Sequence, residues 1–393
     1  MQMITVEEAI KYVENNSQPV RKTVKILLKN ALGYVLAEDV ISPIDMPPFR
    51  QSAMDGYAVR VHDSKFYHVT GELQAGDGQD FTLQKGEAVR IFTGAPVPND
   101  ANSVVIQEKT TIKGQELQVH EEVAIQSNIR PKGEQIQKGE MALRKGISLT
   151  PAAIGFLTTL GIMDASVYQK PAIGIIATGN ELAEAGSQLE YGQIYESNSL
   201  MLRTALVSSG YTDNEIFKVP DDFNSTRNLL EEVLKNKDVV IITGGISVGD
   251  YDFVGKALQE LQVSQLFYKV KQKPGKPLFF GKKDETYVFA LPGNPAAALS
   301  CFYIYVQRCL RRFEGRLNCE PFTVDAISLS EYSSKGDRAQ FLKADYQYGK
   351  VKILEGQSSS MLHTFAVSNA LLYLPADKNK VEMGDIVQLI LTT

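Results

Sequence analysis

The run Asp238–Asp252, DVVIITGGISVGDYD, gathers residue types that bind anions behind what reads as a single strand. Val239-Val240-Ile241-Ile242 is a β-branched stretch without polar alternation, the pattern of a parallel strand buried on both faces. It breaks into Thr243-Gly244-Gly245, followed by Ser247, Gly249, Asp250 and Asp252. Glycines allow backbone N–H groups to approach an anion closely, and the neighbouring hydroxyls and carboxylates can hold a phosphate and its magnesium. A strand-to-helix turn with polar decoration is the plainer alternative, but it needs fewer such residues. In open α/β sheets ligands bind beyond the carboxyl ends of the strands, where this loop falls.

Three more loops of the same region carry comparable chemistry. In Thr178-Gly179-Asn180-Glu181-Leu182, Glu181 can accept a hydrogen bond from a heterocycle or help hold a cation; alone it also reads as a helix N-terminal acid. Lys269, Lys271, Lys273 and Lys276 lie in KVKQKPGKP, and lysines at alternate extended positions make one positive face for phosphate or oxyanion. A solvated edge strand guarded by lysine is the competing reading. Pro292-Gly293-Asn294-Pro295 is a rigid loop leading into a helix whose N-terminus would face the same ligand. Outside this region, Asp55 in SAMDGYAVR and Thr93 in TGAPVP stand in constrained turns.

The elements that must position these residues read as follows. Residues 5–16 and 21–31 have the spacing of amphipathic helices, with Val6, Ala9, Ile10 and Val13 on one face and Val24, Leu27, Leu28 and Ala31 on another. Thr5 and Glu8 resemble a capping box. From 42 to 138, Pro and Gly punctuate short alternating runs, which suits a β-rich domain. Residues 139–170 contain a helical pattern ended by Gly161 and can return to the first helices, making the β-rich region an insertion. Strands at 172–177, 239–242 and 288–291 alternate with helices at 197–209, 253–261 and 296–313, which implies a parallel sheet. The last segment is β again, suited to a small barrel or sandwich. The fold class expected is α/β plus β in an elongated multidomain chain, with boundaries at 1–41, 42–138, 139–170, 171–317 and 318–393.

Bulk properties narrow the function. At 393 residues the chain exceeds one core. Its 44% hydrophobic and 22% charged content is globular, and a net charge of −5 argues against general nucleic-acid binding. The start has early acids and no apolar core, and no apolar run approaches the roughly 20 residues of a membrane span. A cytoplasmic protein is therefore expected. Cys301, Cys309 and Cys319 lack CxxC spacing and read as buried thiols, while the four histidines are too scattered for a transition-metal site or a Ser-His-Asp triad. Any metal must be held by carboxylates.

SAMDGYAVR, TGAPVP, TGNEL, TGGISVGDYD, KPGKP and LPGNP, in this order along one chain, resemble the molybdopterin molybdotransferases of molybdenum-cofactor synthesis, across about residues 5–393. The resemblance implies elongated homodimers of four domains. It also implies insertion of molybdenum from molybdate into adenylylated molybdopterin, with AMP released and a divalent cation, Mg2+, required. An upstream adenylyltransferase and downstream molybdoenzymes are the implied partners. By motif match Asp55, Thr93, Glu181 and Asp252 carry over as site residues, with Asp55 reaching the site from the partner subunit. Asp222, Lys269, Lys273, Lys276, Arg338 and Ser360 follow. Gly244, Gly245, Ser247, Pro292, Asn294 and Pro295 would line the pocket. Asp252, Asp250 and Glu181 are the candidate magnesium ligands, and Lys273 and Lys276 the anion clamp, because phosphoanhydride cleavage needs charge neutralised more than covalent help.

Three positions depart from the family pattern: Gln135 after Gly133-Glu134, Asn180 before Glu181, and Arg50-Gln51 before Ser52. Gln135 and Asn180 keep hydrogen bonding but lose charge. Such losses suit a second reading, a non-catalytic pterin-binding or scaffold protein of the same architecture, as vertebrate relatives that cluster receptors are. Retained Asp55, Asp252 and lysines favour the enzyme. A generic phosphohydrolase accounts for residues 238–252 but leaves SAMDGYAVR and TGAPVP unexplained.

Overall fold

The computed structural model describes residues 3–20, 22–78, 81–245 and 253–392. The chain forms two compact units: Met1–Val24, Gly33–Ala37 and Val167–Thr393 in one, Lys25–Leu32 and Glu38–Ser166 in the other.

The second unit is built on a six-stranded sheet of β1 (Gly56–Val59), β2 (Phe66–Leu73), β3 (Glu87–Ile91), β4 (Ser103–Ile106), β5 (Thr110–Lys113) and β6 (Glu116–Val119), in the order β4-β1-β3-β2-β6-β5. Successive side chains alternate between faces. Ala58, Val89, Ile91 and Val104 therefore fill one core, and Tyr57, Val59, Ala88 and Val105 fill another. The helix Pro151–Thr159 also belongs here, started by Thr150, whose hydroxyl accepts from the Ala153 N–H, and by proline at its first position.

The helix expected over 21–31 does not form in its described residues, 22–31. Thr23–Leu27 is extended and Leu28–Asn30 forms a 3-10 turn. Val24 and Leu27 are 41% and 42% exposed, whereas Leu28 and Ala31 are buried, so the four residues share no face. Thr23, Val24 and Ile26 are β-branched and suit extended backbone, and partners distant in sequence hold it: the Leu28 N–H donates to the Met163 carbonyl and Lys25 pairs with Asp164.

The first unit contains a six-stranded α/β sheet and a closed barrel. The α/β sheet comprises β7 (Ile173–Thr178), β8 (Asn214–Val219), β9 (Val239–Thr243), β10 (Ser264–Tyr268), β11 (Phe279–Lys283) and β12 (Thr286–Leu291), in the order β8-β7-β9-β12-β11-β10. Strands β8, β7, β9 and β12 are parallel, while β11 and β10 add an antiparallel edge. The inner parallel strands β7, β9 and β12 are almost wholly buried because both faces are covered, whereas β8 at the edge is mixed. Ile173, Ile175, Val239, Ile241 and Phe289 pack on one side with the helix Asn198–Ser208 and the long helical run from Pro295 to Phe313. Ile176, Val240, Ile242, Val288 and Ala290 pack on the other with the helices Phe223–Asn236 and Phe253–Glu260. The strand β8, NEIFKV, is too mixed to stand out beforehand; the helix Phe223–Asn236 escaped the sequence reading although Thr226, Leu230, Val233 and Leu234 recur at helical spacing behind the N-cap Asp222.

The helix Val6–Asn16 joins the first of these cores through Val6, Ala9 and Val13. Its capping box is formed: the Thr5 hydroxyl accepts from the Glu8 N–H and the Glu8 carboxylate from the Thr5 N–H. The barrel consists of β13 (Thr323–Ser328), β14 (Ala339–Gln347), β15 (Lys350–Ile353), β16 (Ala370–Leu374) and β17 (Ile386–Leu391), in the order β14-β15-β13-β17-β16 and closed by β14 pairing with β16. Closure leaves no free edge. The cysteines are free and buried, and burial pushes the Cys301 and Cys309 thiols up to about 12. Among the described residues no helix is long and apolar enough to cross a membrane.

Candidate functional site

The carboxyl ends of β7, β9 and β12 open onto one cleft of about 620 Å³. Thr178 and Thr243 end two of these strands at its wall, and Gly244, Pro292, Gly293, Asn294 and Pro295 follow from the loops. Glu181, Pro277 and Ser360 complete the part foreseen from sequence. The chain leaves β7 toward β8 on one side and returns to β9 on the other, so the cleft lies where strand order reverses.

Glycine is required at the centre. Gly244 has φ +88°, and a Cβ there would stand 2.3 Å from the Thr178 carbonyl oxygen. This close approach of two strand ends is what the Thr-Gly-Gly sequence serves. At Gly245, with φ +63°, a Cβ would stand 2.7 Å from a Val254 methyl and 2.8 Å from the Thr178 methyl. Ser247, Asp250 and Asp252 lie outside the described residues.

Several contributors escaped the sequence reading. Asn198 donates from Nδ2 to the Thr243 hydroxyl and the Gly293 carbonyl, both at 2.7 Å, tying two loops of the cleft together. Its Oδ1 is buried with no hydrogen-bond partner among the described residues. Ile194, Tyr195, Glu196 and Ser197 line the same wall. The acid facing the first loop is Asp221, which accepts from the Thr178 hydroxyl and donates its N–H to Asn180 Oδ1 at 3.0 Å. Asp222 instead caps the helix Phe223–Asn236: Ser225, through its hydroxyl and its N–H, holds that carboxyl below the usual range. The adjacent acids in VPDD were the available signal, and N-cap geometry separates them.

The lysine run is not an extended strand with alternate side chains on one face. Only Gln272–Lys273 is strand, paired in parallel with Ala339 and Gln340 of β14. Lys269 has φ +72° and places its ammonium 5.0 Å from the Tyr268 ring centroid, and Lys271 pairs with Asp337 at 2.7 Å. The turn Pro274-Gly275 breaks the alternation and leaves Lys273 and Lys276 exposed, next to the cleft-lining Pro277. Arg338, half-buried, precedes Ala339 and so neighbours this run through the ladder.

Ser360 is delivered by a barrel loop held from inside. Lys343 is 3% exposed, and its ammonium donates to the carbonyls of Gly356 (2.7 Å), Ser358 (3.1 Å) and Met361 (3.0 Å). Burial holds its pKa below the ordinary lysine value. The Gln357 amide is bonded both ways to the Lys343 backbone, and Asn294 Nδ2 donates to the Ser359 hydroxyl at 2.9 Å. A lysine inside the barrel strand sequence QFLKADY was the signal for this anchor.

In the other unit, the register Gly56↔Ile91 sets Asp55 beside Thr93. Asp55 Oδ1 accepts the Thr93 N–H and hydroxyl, both at 2.8 Å. These two donors hold the carboxyl below the usual range, so Asp55 is charged at neutral pH. Any stability linked to that depressed pKa is present above the unfolded value and lost as pH falls through the folded one. Thr93→Val keeps the N–H donor and removes the hydroxyl. The Asp55 titration midpoint, read from its carboxyl carbon by NMR, is expected to rise; an unchanged midpoint contradicts the assignment. Arg50, one of the unexpected residues, donates to the carbonyls of Pro98, Asn99 and Ala101 and so pins the TGAPVP loop.

An open α/β sheet with a glycine-floored cleft at its switch point, joined to a closed β barrel, defines a multidomain ligand-binding protein, and comparison with known proteins narrows the class. Residues 4–161 match the MoeA N-terminal region (domains I and II), 174–312 a probable molybdopterin binding domain, and 325–392 the MoeA C-terminal region (domain IV). Molybdopterin molybdenumtransferases of Staphylococcus epidermidis and Staphylococcus aureus are 32% and 31% identical over 402 residues, covering 99% of this chain and 96% of each relative. A crystal structure of the molybdopterin biosynthesis moeA protein from Pyrococcus horikoshii OT3 superposes with a TM-score of 0.87 at 32% identity, covering 99% of this chain and 100% of that one. The chain belongs to the MoeA family of molybdopterin molybdenumtransferases, enzymes of molybdenum-cofactor biosynthesis.

Proposed function

We propose that the cleft beyond β7, β9 and β12 takes adenylylated molybdopterin, and that the enzyme inserts molybdenum from the substrate molybdate with release of AMP. The observation that carries this reading is the convergence of Glu181, Gly244, Asn294 and Ser360, drawn from four separate motifs, on one cleft. Full-length similarity to named transferases favours the enzyme over the scaffold alternative.

Lys273 and Lys276 neutralise the phosphates, and molybdate, a tetrahedral dianion, uses the same kind of cationic and N–H donors. Asn198, with an unused buried carbonyl oxygen, accepts from the ligand's N–H or O–H groups. Among the described residues no group of three or more His, Cys, Asp or Glu side chains is arranged to hold a metal. Mg2+ needs less, since one or two carboxylates together with phosphates and waters suffice. Glu181, which lines the cleft, fits that requirement, and Asp250 and Asp252 supply the remaining charge by their sequence position. Bound there, Mg2+ would offset the charge of the phosphates; the lysines orient them. We further propose a cytoplasmic homodimer in which Asp55 reaches the partner's cleft, and a division of the chain at 41, 138, 170 and 317.

The test is equilibrium binding of adenylylated molybdopterin to the full chain with and without Mg2+. Saturable binding strengthened by Mg2+ is expected. No binding in either condition contradicts the reading.

A further inference from the structure

The turn that presents Lys273 and Lys276 rests on a polar anchor inside an otherwise apolar core. Gln272 is fully buried, as is Tyr305, among residues such as Phe267, Val270, Leu278 and Phe280. The Gln272 amide nitrogen donates to the carbonyls of Pro274 at 3.0 Å and Gly275 at 3.3 Å and lies 3.6 Å from Cys301 Sγ. Its amide oxygen accepts the Tyr305 hydroxyl. Tyr305 stands in a π-turn, Phe302–Val306, that interrupts the long helix. Such turns are rare and frequent at functional sites. Gly275 lies directly on this anchor, with φ +86° and room for a Cβ only 2.5 Å from Cys301 Sγ.

A leucine would fill the Gln272 position without burying an amide, which is costly unless every group is paired. What the amide adds is a hold on two consecutive carbonyls, both lying between the two lysines. The ladder to β14 fixes Gln272–Lys273, and the Val270 N–H holds the Lys276 carbonyl at 3.0 Å; between those two ends the Pro274 and Gly275 carbonyls are held by this side chain.

We propose that Gln272, held by Tyr305, is a positioning residue for the anion clamp: it fixes the turn so that the Lys273 and Lys276 ammoniums form a preset pair for a phosphoanhydride. This rests on the reading of those lysines as the clamp. Preset donors bind more tightly because less conformational entropy is lost on association.

The test is a double-mutant cycle with inorganic pyrophosphate as the probe, followed by calorimetric titration of the full-length protein. Gln272→Leu is expected to weaken pyrophosphate binding about tenfold, and Tyr305→Phe about threefold. In a Lys273→Ala/Lys276→Ala background Gln272→Leu is expected to add nothing, because the groups it positions are gone. Wild-type affinity in Gln272→Leu overturns the proposal, as does a combined variant whose loss is the product of the separate losses. Should Gln272→Leu not fold, the same cycle with Tyr305→Phe decides by the same criteria. A wild-type protein that does not bind pyrophosphate, with the lysine variant unchanged, overturns the clamp reading itself and is thereby told apart.

Discussion

Replacing both Lys273 and Lys276 by alanine is expected to lower kcat/KM for adenylylated molybdopterin by about 10²–10³-fold, on the scale of losing preorganised electrostatic donors. The two side chains are exposed at the turn after Gln272, so their removal opens no cavity and leaves no buried group unpaired. The melting temperature should stay within about 2 °C of the wild type, since surface changes of this kind fall within roughly ±0.5 kcal/mol. Activity of the wild type should also fall with added salt, as exposed charges are screened beyond about 8–10 Å. A double variant with near-normal kcat/KM would remove the lysines from the site. A parallel collapse in stability would make them structural.

Lys343→Met is expected to destabilise the protein by about 2 kcal/mol, because an apolar side chain of similar length removes a buried cation's three hydrogen bonds to the part-buried carbonyls of Gly356, Ser358 and Met361, of which Ser358 keeps the Met361 N–H. The loop they belong to carries Ser359, which bonds Asn294, and Ser360, which lines the cleft. Loss of the anchor should therefore reduce turnover as well. Lys343→Arg keeps a cation with several donors and should recover part of both. Urea denaturation checks the first effect through the midpoint at constant slope. A midpoint equal to the wild type in Lys343→Met would mean that the loop is held elsewhere.

Fold class was legible where apolar period and punctuation agreed. Val239–Ile242 reads as a doubly buried strand, and its side chains do alternate between two packed layers. Thr5 and Glu8 announce the first helix through a cap that forms. The segment 21–31 failed because apolar residues three and four apart match a helix template, while three β-branched residues and partners at Met163 and Asp164 select extended backbone. Long-range partners are not written in local spacing.

The candidate site was legible as motifs but not as connections. Glu181, Gly244, Asn294 and Ser360 meet in the cleft, yet nothing in their spacing indicates Asn198, which ties the Thr243 and Gly293 loops together. The acids of VPDD divide between a helix cap and the Thr178 loop, a distinction set by backbone geometry rather than residue type. The lysines of KVKQKPGKP looked like a comb on one face. A left-handed residue at Lys269 and the turn at Gly275 disperse them, so that Lys271 serves an ion pair and Lys273 and Lys276 remain for a ligand.

The central claim is that this chain couples molybdate to cleavage of the adenylylated pterin. The most direct measurement is AMP released in a single turnover by purified full-length protein, given adenylylated molybdopterin and Mg2+, with molybdate added or withheld. One AMP per pterin is expected, appearing only with molybdate and accompanied by cofactor that reconstitutes a molybdoenzyme. Tight binding of the pterin with no molybdate-dependent AMP would contradict it.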